Sequence, residues 1–427
     1  MSRASQKIMQ RLNALAKISD EPGRLTRLFG SPAMRRANAL VGTWMRAAGM
    51  KTRLDALGNI IGHYPAARPG AKILLLGSHL DTVRNAGKFD GPLGVLLAIA
   101  CVEKLHQSKI QLPFAIEVIG FADEEGVRYQ TTYLGSKALA GSFSTKDLQR
   151  QDADGISLRD AIKSFGGHPA RLKSARLDPE QLLGYVEAHI EQGPVLEKKQ
   201  LALGLVTSIA GQTRAGVRFT GCAGHAGTTP MKWRQDALCA AAEFILAAEK
   251  LARATPGAVA TVGEISARPG ASNVIPGEVC LTLDVRHARD AVRQSVYAAI
   301  RQSAQAIARR RKVRAACTLV HETATVECCP QLSHILGQSI RRRQSRLPAL
   351  PSGAGHDAAV MAGITPVAML FIRCKNGLSH HPDESVTLAD IGSALAVLAD
   401  FVQSPWWGGG VPGRHRLAPA PLAKTNL

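Results

Sequence analysis

The stretch GSHLDTVRNAGKFDGPLGV, residues 77–95, decides the fold. It follows the apolar run AKILLL and places His79, Asp81 and Asp90 between glycines. Open α/β sheets bind their ligands at loops that follow the carboxyl ends of strands. Histidine and aspartate are among the residue types that bind divalent metals. The stretch therefore predicts a buried strand ending in half of a metal site, with further ligands elsewhere in the chain.

The segments on either side of this loop alternate between strand-like and helix-like patterns. NIIGHY, AKILLLGS and FAIEVIGFA have the character of strands, and residues 94–107 between the last two have that of a helix. This alternation predicts a sheet covered by helices. After Gly211 a strand–helix–strand–strand–helix–strand order fits a ferredoxin-like domain, and the first pattern resumes near residue 327.

We therefore expect an α/β protein with a discontinuous larger domain, residues 1–210 and 327–404, built on a mixed, mostly parallel sheet. Residues 211–326 would form an inserted ferredoxin-like α+β domain. Residues 405–427 are rich in glycine and proline and are expected to form a loose tail.

Composition limits the class of protein. The 427 residues contain no apolar run long enough for a transmembrane helix. The eight cysteines form no CxxC pair, which argues against a disulfide framework or a thiolate zinc site and favours a reducing cytoplasm. The basic N-terminus suggests a transit peptide, but Leu12, Leu15 and Ile18 have helical spacing, and we favour a helix that faces the core.

The net charge of +20 raises the alternative of a nucleic-acid partner. The two dense clusters, residues 309–314 and 341–346, each end a helix-like stretch, where cations suit the helix dipole. Aromatic residues make up only 4% of the chain, which leaves little for base stacking. We expect no nucleic-acid or membrane partner.

Further candidate ligands follow other strand-like runs. Asp123, Glu124 and Glu125 directly follow FAIEVIGFA, and histidines occur in EAHIEQG and GLSHHPDE. Parallel strand ends share one edge of a sheet, where one carboxylate can bind metal while its neighbour takes a proton from water. No HExxH motif is present. The candidates suffice for two metals that share one carboxylate: His79, Asp90, Glu125, His189 and His380.

These motifs closely resemble the dinuclear-metal amidohydrolases of the M20 peptidase clan, over most of residues 8–403. Within the clan they resemble the branch of allantoate amidohydrolases, N-carbamoyl-L-amino acid hydrolases and β-ureidopropionases. HIEQG is the most specific motif, because aminoacylase and carboxypeptidase members usually carry an acidic ligand at its histidine. The other motifs are GSHLDTV, GKFDGPLGV, DEEGVRY, GSKALAG, GHAGTTPM, RPGASNVIPG, DVRH, SGAGHDA and GLSHHPDE.

The resemblance implies two divalent ions, zinc or manganese, and a role for each candidate. His79 and His189 would bind one ion, Glu125 and His380 the other, and Asp90 would bridge them. Asp81 would orient the imidazole of His79. Glu124 would act as general base and then as general acid.

The resemblance also implies that the inserted domain serves as lid and dimerisation domain. His225 would bind the oxyanion, across the interface of a homodimer, and His356 would lie near the metals. The substrate carboxylate would be held by Gln192, Asn273 and Arg286, since the guanidinium fork matches a carboxylate. Each residue has a simpler alternative: Arg286 pairing with a nearby aspartate, Asn273 capping a loop, and His225 forming an ordinary turn.

Two positions depart from the pattern of the branch. Pro92 removes a backbone N–H next to Asp90. His381 stands where relatives often have asparagine, so either histidine of the HH pair is a possible ligand; position favours His380.

The reaction implied is hydrolysis of a ureido or carbamoyl C–N bond in the cytoplasm. We favour allantoate, converted to ureidoglycine with release of ammonia and carbon dioxide in purine-ureide catabolism. N-carbamoyl-L-amino acids or β-ureidopropionate are the alternative substrates. A catalytically silent binding protein is an alternative of another class, but Glu124 and all the candidate ligands are retained.

Overall fold

The computed structural model describes residues 2–408, which divide into two compact units. The first unit contains residues 2–207, 328–350 and 355–408, and the second contains residues 208–327 and 351–354. The predicted inserted domain, 211–326, falls within the longer segment of the second unit. Of the predicted tail, Pro405–Gly408 forms a 3₁₀ turn, and residues 409–427 lie outside the described residues.

The strands in chain order are β1 (Lys51–Leu54), β2 (Ile60–Tyr64), β3 (Ile73–His79), β4 (Ala115–Phe121), β5 (Leu182–Ile190), β6 (Leu203–Ile209), β7 (Gly211–Thr220), β8 (Gly224–His225), β9 (Val259–Thr261), β10 (Ile265–Arg268), β11 (Val274–Ile275), β12 (Glu278–His287), β13 (Arg314–Thr323), β14 (Val326–Glu327), β15 (Ala349–Ser352) and β16 (Val367–Ile372). The helices are α1 (Arg3–Ala16), α2 (Pro32–Ala47), α3 (Pro92–Gln107), α4 (Leu134–Ala140), α5 (Leu158–Phe165), α6 (Val195–Lys198), α7 (Ala237–Arg253), α8 (Asp290–Arg311), α9 (Pro330–Arg341), α10 (Asp357–Met361) and α11 (Leu388–Val402).

The first unit is built on a mixed sheet with the strand order β1-β2-β4-β3-β5-β16-β6, with β15 beside β6. The four central strands, β4, β3, β5 and β16, are mutually parallel. Strands β3 and β4 are buried along almost their whole length, as expected for parallel strands covered on both faces. The prediction of an α/β fold with a mixed sheet covered by helices is therefore confirmed.

The helices that cover this sheet share one core with it. Helix α3 is buried on nearly every side because it packs against β3, β4 and β5 and also against α1 and α11. Helix α1 buries Leu12 and Leu15 in the same core, in agreement with the helical interpretation of the N-terminus. None of the helices within residues 2–408 has both the length and the hydropathy to cross a bilayer.

The second unit contains an antiparallel sheet ordered β10-β12-β7-β13, with β9 beside β12. Helices α7 and α8 pack on one face, where Phe219, Phe244 and Ile300 belong to a common core. Without the two-residue strands β8 and β11, the chain order is β7, α7, β9, β10, β12, α8 and β13. This is the strand–helix–strand–strand–helix–strand order predicted for a ferredoxin-like domain with one additional short strand between the helices. The first arginine cluster ends α8, and Arg310 and Arg311 pair with Glu243 of α7.

Candidate active site

The parallel strands deliver the candidate residues to one edge of the sheet. His79 is the last residue of β3 and is paired in register with Phe121, the last residue of β4. Glu124 and Glu125 follow the end of β4 by three and four residues. His189 is the penultimate residue of β5. Because parallel strands end on the same side, residues far apart in the chain meet there.

Several donor sets at this edge have the composition and closeness of a metal site. In each set the ligand atoms lie within 4.8 Å of one another. The first set is His79, Asp90 and His189, the second is Asp90, Glu125 and His380, and a third is His79, Glu124 and Glu125. The structure thus brings all five predicted ligands together, with Asp90 common to two sets.

The hydrogen bonds of the first set indicate that a cation fits it. His79 Nδ1 lies 3.1 Å from the main-chain oxygen of Asp81, and His189 Nδ1 lies 2.9 Å from that of Ile190. Since a carbonyl oxygen only accepts, each Nδ1 carries a proton. In the neutral rings both Nε2 lone pairs then face Asp90 Oδ1, at 3.3 and 3.2 Å. Three lone pairs that converge in a buried space are what a divalent ion requires.

The electrostatics of the first set also favour a bound cation. Burial alone would lower the pKa of His79, but Asp81 and Asp90 raise it well above the ordinary value. No hydrogen-bond donor among the described residues reaches the buried Asp90 Oδ1. The carboxylates therefore favour positive charge between the two histidines, supplied either by a proton or by a metal ion.

The second set is more open to solvent. His380 Nε2 lies 3.2 Å from Glu125 Oε1 and 3.6 Å from Asp90 Oδ2. The side chain of His380 is 48% exposed, whereas that of His189 is 1% exposed. The hydrogen bond to Glu125 raises the pKa of His380 to about 9. The neighbouring His381 faces Asp383 instead, so His380 is the histidine of this pair that belongs to the second set.

Asp81 holds the loop that carries Glu124 and Glu125, and it also approaches His79. Its two carboxylate oxygens accept the main-chain N–H groups of Glu124 and Glu125, at 3.0 and 3.1 Å. Its Oδ1 lies 3.5 Å from His79 Nδ1, farther than the main-chain oxygen described above. Asp81 therefore connects the ends of β3 and β4 through the main chain.

Glu124 has the environment of a group that can carry a proton. It is 8% exposed and lies in the donor set with His79 and Glu125. Burial raises its pKa well above the ordinary value, and Glu125, Asp357 and Asp81 add to this against the opposing effect of His79. A carboxyl group with a raised pKa can accept a proton and return it at neutral pH.

The loop that carries Asp90 is held tightly on both sides. Asp90 Oδ2 accepts hydrogen bonds from Gln192 Nε2, at 2.8 Å, and from the hydroxyl of Ser379. The amide of Gln192, predicted to hold a substrate carboxylate, is thus directed at Asp90.

The two residues after Asp90 fit the start of α3. Gly91 has a φ of +79°, and a Cβ there would lie 2.5 Å from the His79 ring. Pro92 is the first residue of α3, a position where the missing N–H has no helical partner to lose.

A residue that the sequence analysis did not select supports β5. Glu187 accepts the Ser78 hydroxyl at 2.9 Å and the main-chain N–H of Ala358 at 3.0 Å. It stands two residues before His189 on the same strand and so on the same face, which is the signal that could have identified it.

The predicted His356 packs its ring edge-on against His189, 4.6 Å between centroids. Burial lowers the pKa of His356 well below the ordinary value.

The second unit carries the three remaining predicted residues. Strand β8 pairs with β11, and Ala226 N donates to Asn273 O, so His225 and Asn273 lie on adjoining segments. His225 Nδ1 accepts the N–H groups of Gly227 and Thr228, at 3.0 and 3.2 Å. The proton of the neutral ring is then on the exposed Nε2, which can donate.

Arg286 pairs with a nearby aspartate, which is the simpler alternative given for it in the sequence analysis. Its Nε and Nη2 donate to the two carboxylate oxygens of Asp284, both at 3.0 Å. Its Nη1 donates to Gly353 O at 2.7 Å. Although burial opposes it, the guanidinium lowers the pKa of Asp284. These bonds use three of the five N–H groups of the guanidinium.

Comparison with known proteins gives the family. The model of peptidase family M20/M25/M40 matches residues 75–404. The chain belongs to this family. It is 42% identical to a probable allantoate deiminase of rice, Oryza sativa, over 425 residues that cover 92% of this chain and 87% of the relative.

Two further relatives are similar to this chain over nearly their whole length. An N-carbamoyl-L-amino acid amidohydrolase of Geobacillus stearothermophilus is 42% identical over 398 residues, which cover 92% of this chain and 96% of the relative. The crystal structure of a Burkholderia multivorans amidase of the hydantoinase/carbamoylase family superposes with a TM-score of 0.88 at 31% identity, covering 93% of this chain and 97% of that one. This M20 protein is therefore a hydrolase, and the names of its relatives support hydrolysis of ureido C–N bonds.

Proposed function

We propose that this M20 hydrolase cleaves a ureido C–N bond of allantoate and yields ureidoglycine, ammonia and carbon dioxide. The observation that carries the proposal is the shared position of Asp90 in two donor sets, with the buried Glu124 beside them. The similarity to the rice allantoate deiminase favours this substrate. The equal identity to the Geobacillus enzyme makes an N-carbamoyl-L-amino acid the second candidate.

The proposal includes two divalent ions, zinc or manganese. His79 and His189 would hold one, Glu125 and His380 the other, and Asp90 both. When bound, the ions would polarise the ureido carbonyl and lower the pKa of the attacking water. Three histidines favour zinc, and the carboxylates of the second set also suit manganese.

Glu124 would move the proton. It takes one proton from the attacking water as the oxygen bonds to the ureido carbon. It then gives that proton to the leaving nitrogen, which keeps the electron pair of the broken C–N bond. Asp81 fixes the main chain of Glu124 for both transfers. The carbamate that leaves decomposes to carbon dioxide and ammonia.

Residues of the second unit would bind the rest of the substrate. The Nε2 proton of His225 would stabilise the developing oxyanion, a contribution that for one donor is about 3–4 kcal/mol. Arg286 keeps two N–H groups beyond its bonds to Asp284 and Gly353. We propose that these N–H groups, with Asn273, hold the substrate carboxylate. Gln192, which the sequence resemblance placed there as well, donates both of its amide N–H groups to Asp90 and Ser379 instead.

We propose a homodimer formed through the second unit. Strand β13 is an edge strand of its sheet among the described residues, and its Leu319 and Val320 are exposed. An exposed apolar edge strand is a surface that proteins normally cover. Sedimentation equilibrium of wild-type protein and a Val320→Lys variant tests this: a wild-type dimer and a variant monomer are expected, and a monomeric wild type refutes it.

The decisive experiment is ammonia release by protein reconstituted with Zn²⁺ or Mn²⁺. Allantoate and a panel of N-carbamoyl amino acids are assayed side by side, with EDTA-treated protein and Glu124→Gln as controls. Turnover of allantoate that is lost with EDTA and in Glu124→Gln is the expected result. Preference for a carbamoyl amino acid moves the enzyme to that substrate, and no turnover of any substrate by metal-loaded protein would overturn the proposal in favour of a binding protein.

A further inference from the structure

The carboxylate of Glu384 accepts hydrogen bonds from the main chain of the loop that carries Asp90. Its Oε1 accepts the N–H of Phe89 at 2.7 Å and that of Asp90 itself at 2.9 Å. Glu384 is 4% exposed, so no solvent competes for these two donors. Glu384 lies four residues after His380, so one short segment provides both a proposed ligand and the acceptor of these two hydrogen bonds.

The loop is shaped to admit Glu384. A Cβ at Gly87 would lie 2.4 Å from Glu384 Cβ and 2.6 Å from its Oε1. Only a residue without a side chain therefore allows the glutamate to approach the loop this closely. On its far side the loop is bonded to the N-terminal segment through Asn85 N to Thr26 Oγ1, at 3.0 Å.

The side chain of Asp90 is fixed by the same segment. Ser379, the residue before His380, donates its hydroxyl to Asp90 Oδ2, and Gln192 donates to the same oxygen. Asp90 Oδ1 remains directed at the two buried histidines of the first set. The main chain of Asp90 is thus held by Glu384 and its carboxylate by Ser379, and neither residue belongs to the five proposed ligands.

We propose that Glu384 is a positioning residue for the metal centre, acting through the N–H groups of Phe89 and Asp90 to place the shared carboxylate. The proposal rests on the proposed function only in taking the five ligands as a metal site. Groups that orient metal ligands without binding the metal typically change affinity about 10- to 100-fold when removed. A carbonyl oxygen can accept the two N–H groups as a carboxylate does, so glutamine is expected to replace Glu384 where methionine is not.

The test measures metal binding without substrate. Zn²⁺ affinity of the full-length protein is measured by competition with a chromophoric chelator, and the visible absorption of the Co²⁺-loaded protein reports ligand geometry. The variants are Glu384→Gln and Glu384→Met, with Glu103→Met as the matched control. Glu103 is also a buried carboxylate of the first unit, but its partners are Lys7 and Arg11 of α1.

The expected result is an affinity loss of about tenfold or more and an altered Co²⁺ spectrum in Glu384→Met. Glu384→Gln and Glu103→Met should stay within about threefold of wild type. Wild-type Zn²⁺ affinity in Glu384→Met overturns the proposal, and so does an equal loss in Glu384→Gln, which would indicate that charge rather than an acceptor is needed.

If Glu384→Met does not fold by circular dichroism, Gly87→Ala decides. That variant removes no hydrogen-bonding group and only presses on Glu384, so a similar affinity loss supports the proposal and wild-type affinity overturns it. A failure of the proposed function is distinguished by the assay of wild-type protein: no turnover together with tight Zn²⁺ binding would reject the activity and leave the role of Glu384 to be judged on binding alone.

Discussion

Replacing Asp81 by asparagine tests whether the end of β4 must be held rigidly for catalysis. The two oxygens of Asp81 accept the N–H groups of Glu124 and Glu125, at 3.0 and 3.1 Å. Asparagine keeps one acceptor, and its NH₂ group faces the other N–H donor. The Asp81 side chain is 2% exposed, so water does not restore the lost bond.

The magnitude follows from that geometry. A hydrogen bond to a charged group contributes about 1.5–3 kcal/mol, and about 1.4 kcal/mol corresponds to a tenfold change in rate. If the loss appears in the position of Glu124 during proton transfer, kcat should fall about 10- to 150-fold. KM should change little, because the residues proposed to bind the substrate carboxylate are not contacted by Asp81.

Steady-state ammonia release on the preferred substrate measures both constants, and elemental analysis measures bound metal. Asp20→Asn is the matched control, since the two oxygens of Asp20 accept N–H groups from Leu28 and Ala33, both at 3.1 Å. A kcat for Asp81→Asn within threefold of wild type, at full metal content, would refute the reasoning. An equal loss in the control would assign the effect to general destabilisation.

Three further predictions concern other parts of the molecule. Gly91→Ala should lower the Zn²⁺ content of purified protein, because the new methyl group would overlap the ring of the ligand in β3; unchanged content would contradict this. Arg286→Lys should raise KM at least tenfold with kcat nearly constant, since an ammonium cannot reproduce the fork, and an unaltered KM removes Arg286 from the substrate site. Although burial opposes it, main-chain N–H groups and Arg128 lower the pKa of Asp152. The stabilisation is therefore present above about pH 3.9, the pKa of an unfolded aspartate, and is lost as pH falls through the lowered value. Urea unfolding of Asp152→Asn should accordingly show less loss of stability between pH 5 and pH 3 than wild type, and equal slopes would exclude this role.

The sequence was sufficient to predict that the candidate ligands would share one edge of a sheet. When the strands that lead to His79 and to Glu124 are parallel neighbours, their carboxyl ends must lie on the same edge of the sheet. Most of the ferredoxin-like order of the second unit was also readable, because alternation and helical spacing are local properties of the chain. The additional short strand between α7 and α8 was not predicted.

The supporting contacts were not readable from the sequence. Glu384 and Ser379 lie within a motif that had been noticed, yet their partners Phe89 and Asp90 are almost three hundred residues away in the chain. No periodicity records such a pairing. Gln192 illustrates the same limit: the resemblance to the M20 branch implied that it holds the substrate carboxylate, but only the fold shows its amide directed at Asp90.

The position of β16 has a consequence for how this protein is made. β16 lies between β5 and β6 in the sheet, yet it begins only at Val367, after the whole of the longer segment of the second unit. A nascent chain emerging from the ribosome therefore presents β5 with one unpaired edge until residues 367–372 follow. Unpaired edges recruit other strands. A chain interrupted before residue 367 would lack both His380 and the strand that closes this gap, so premature termination should yield aggregates rather than a smaller active enzyme.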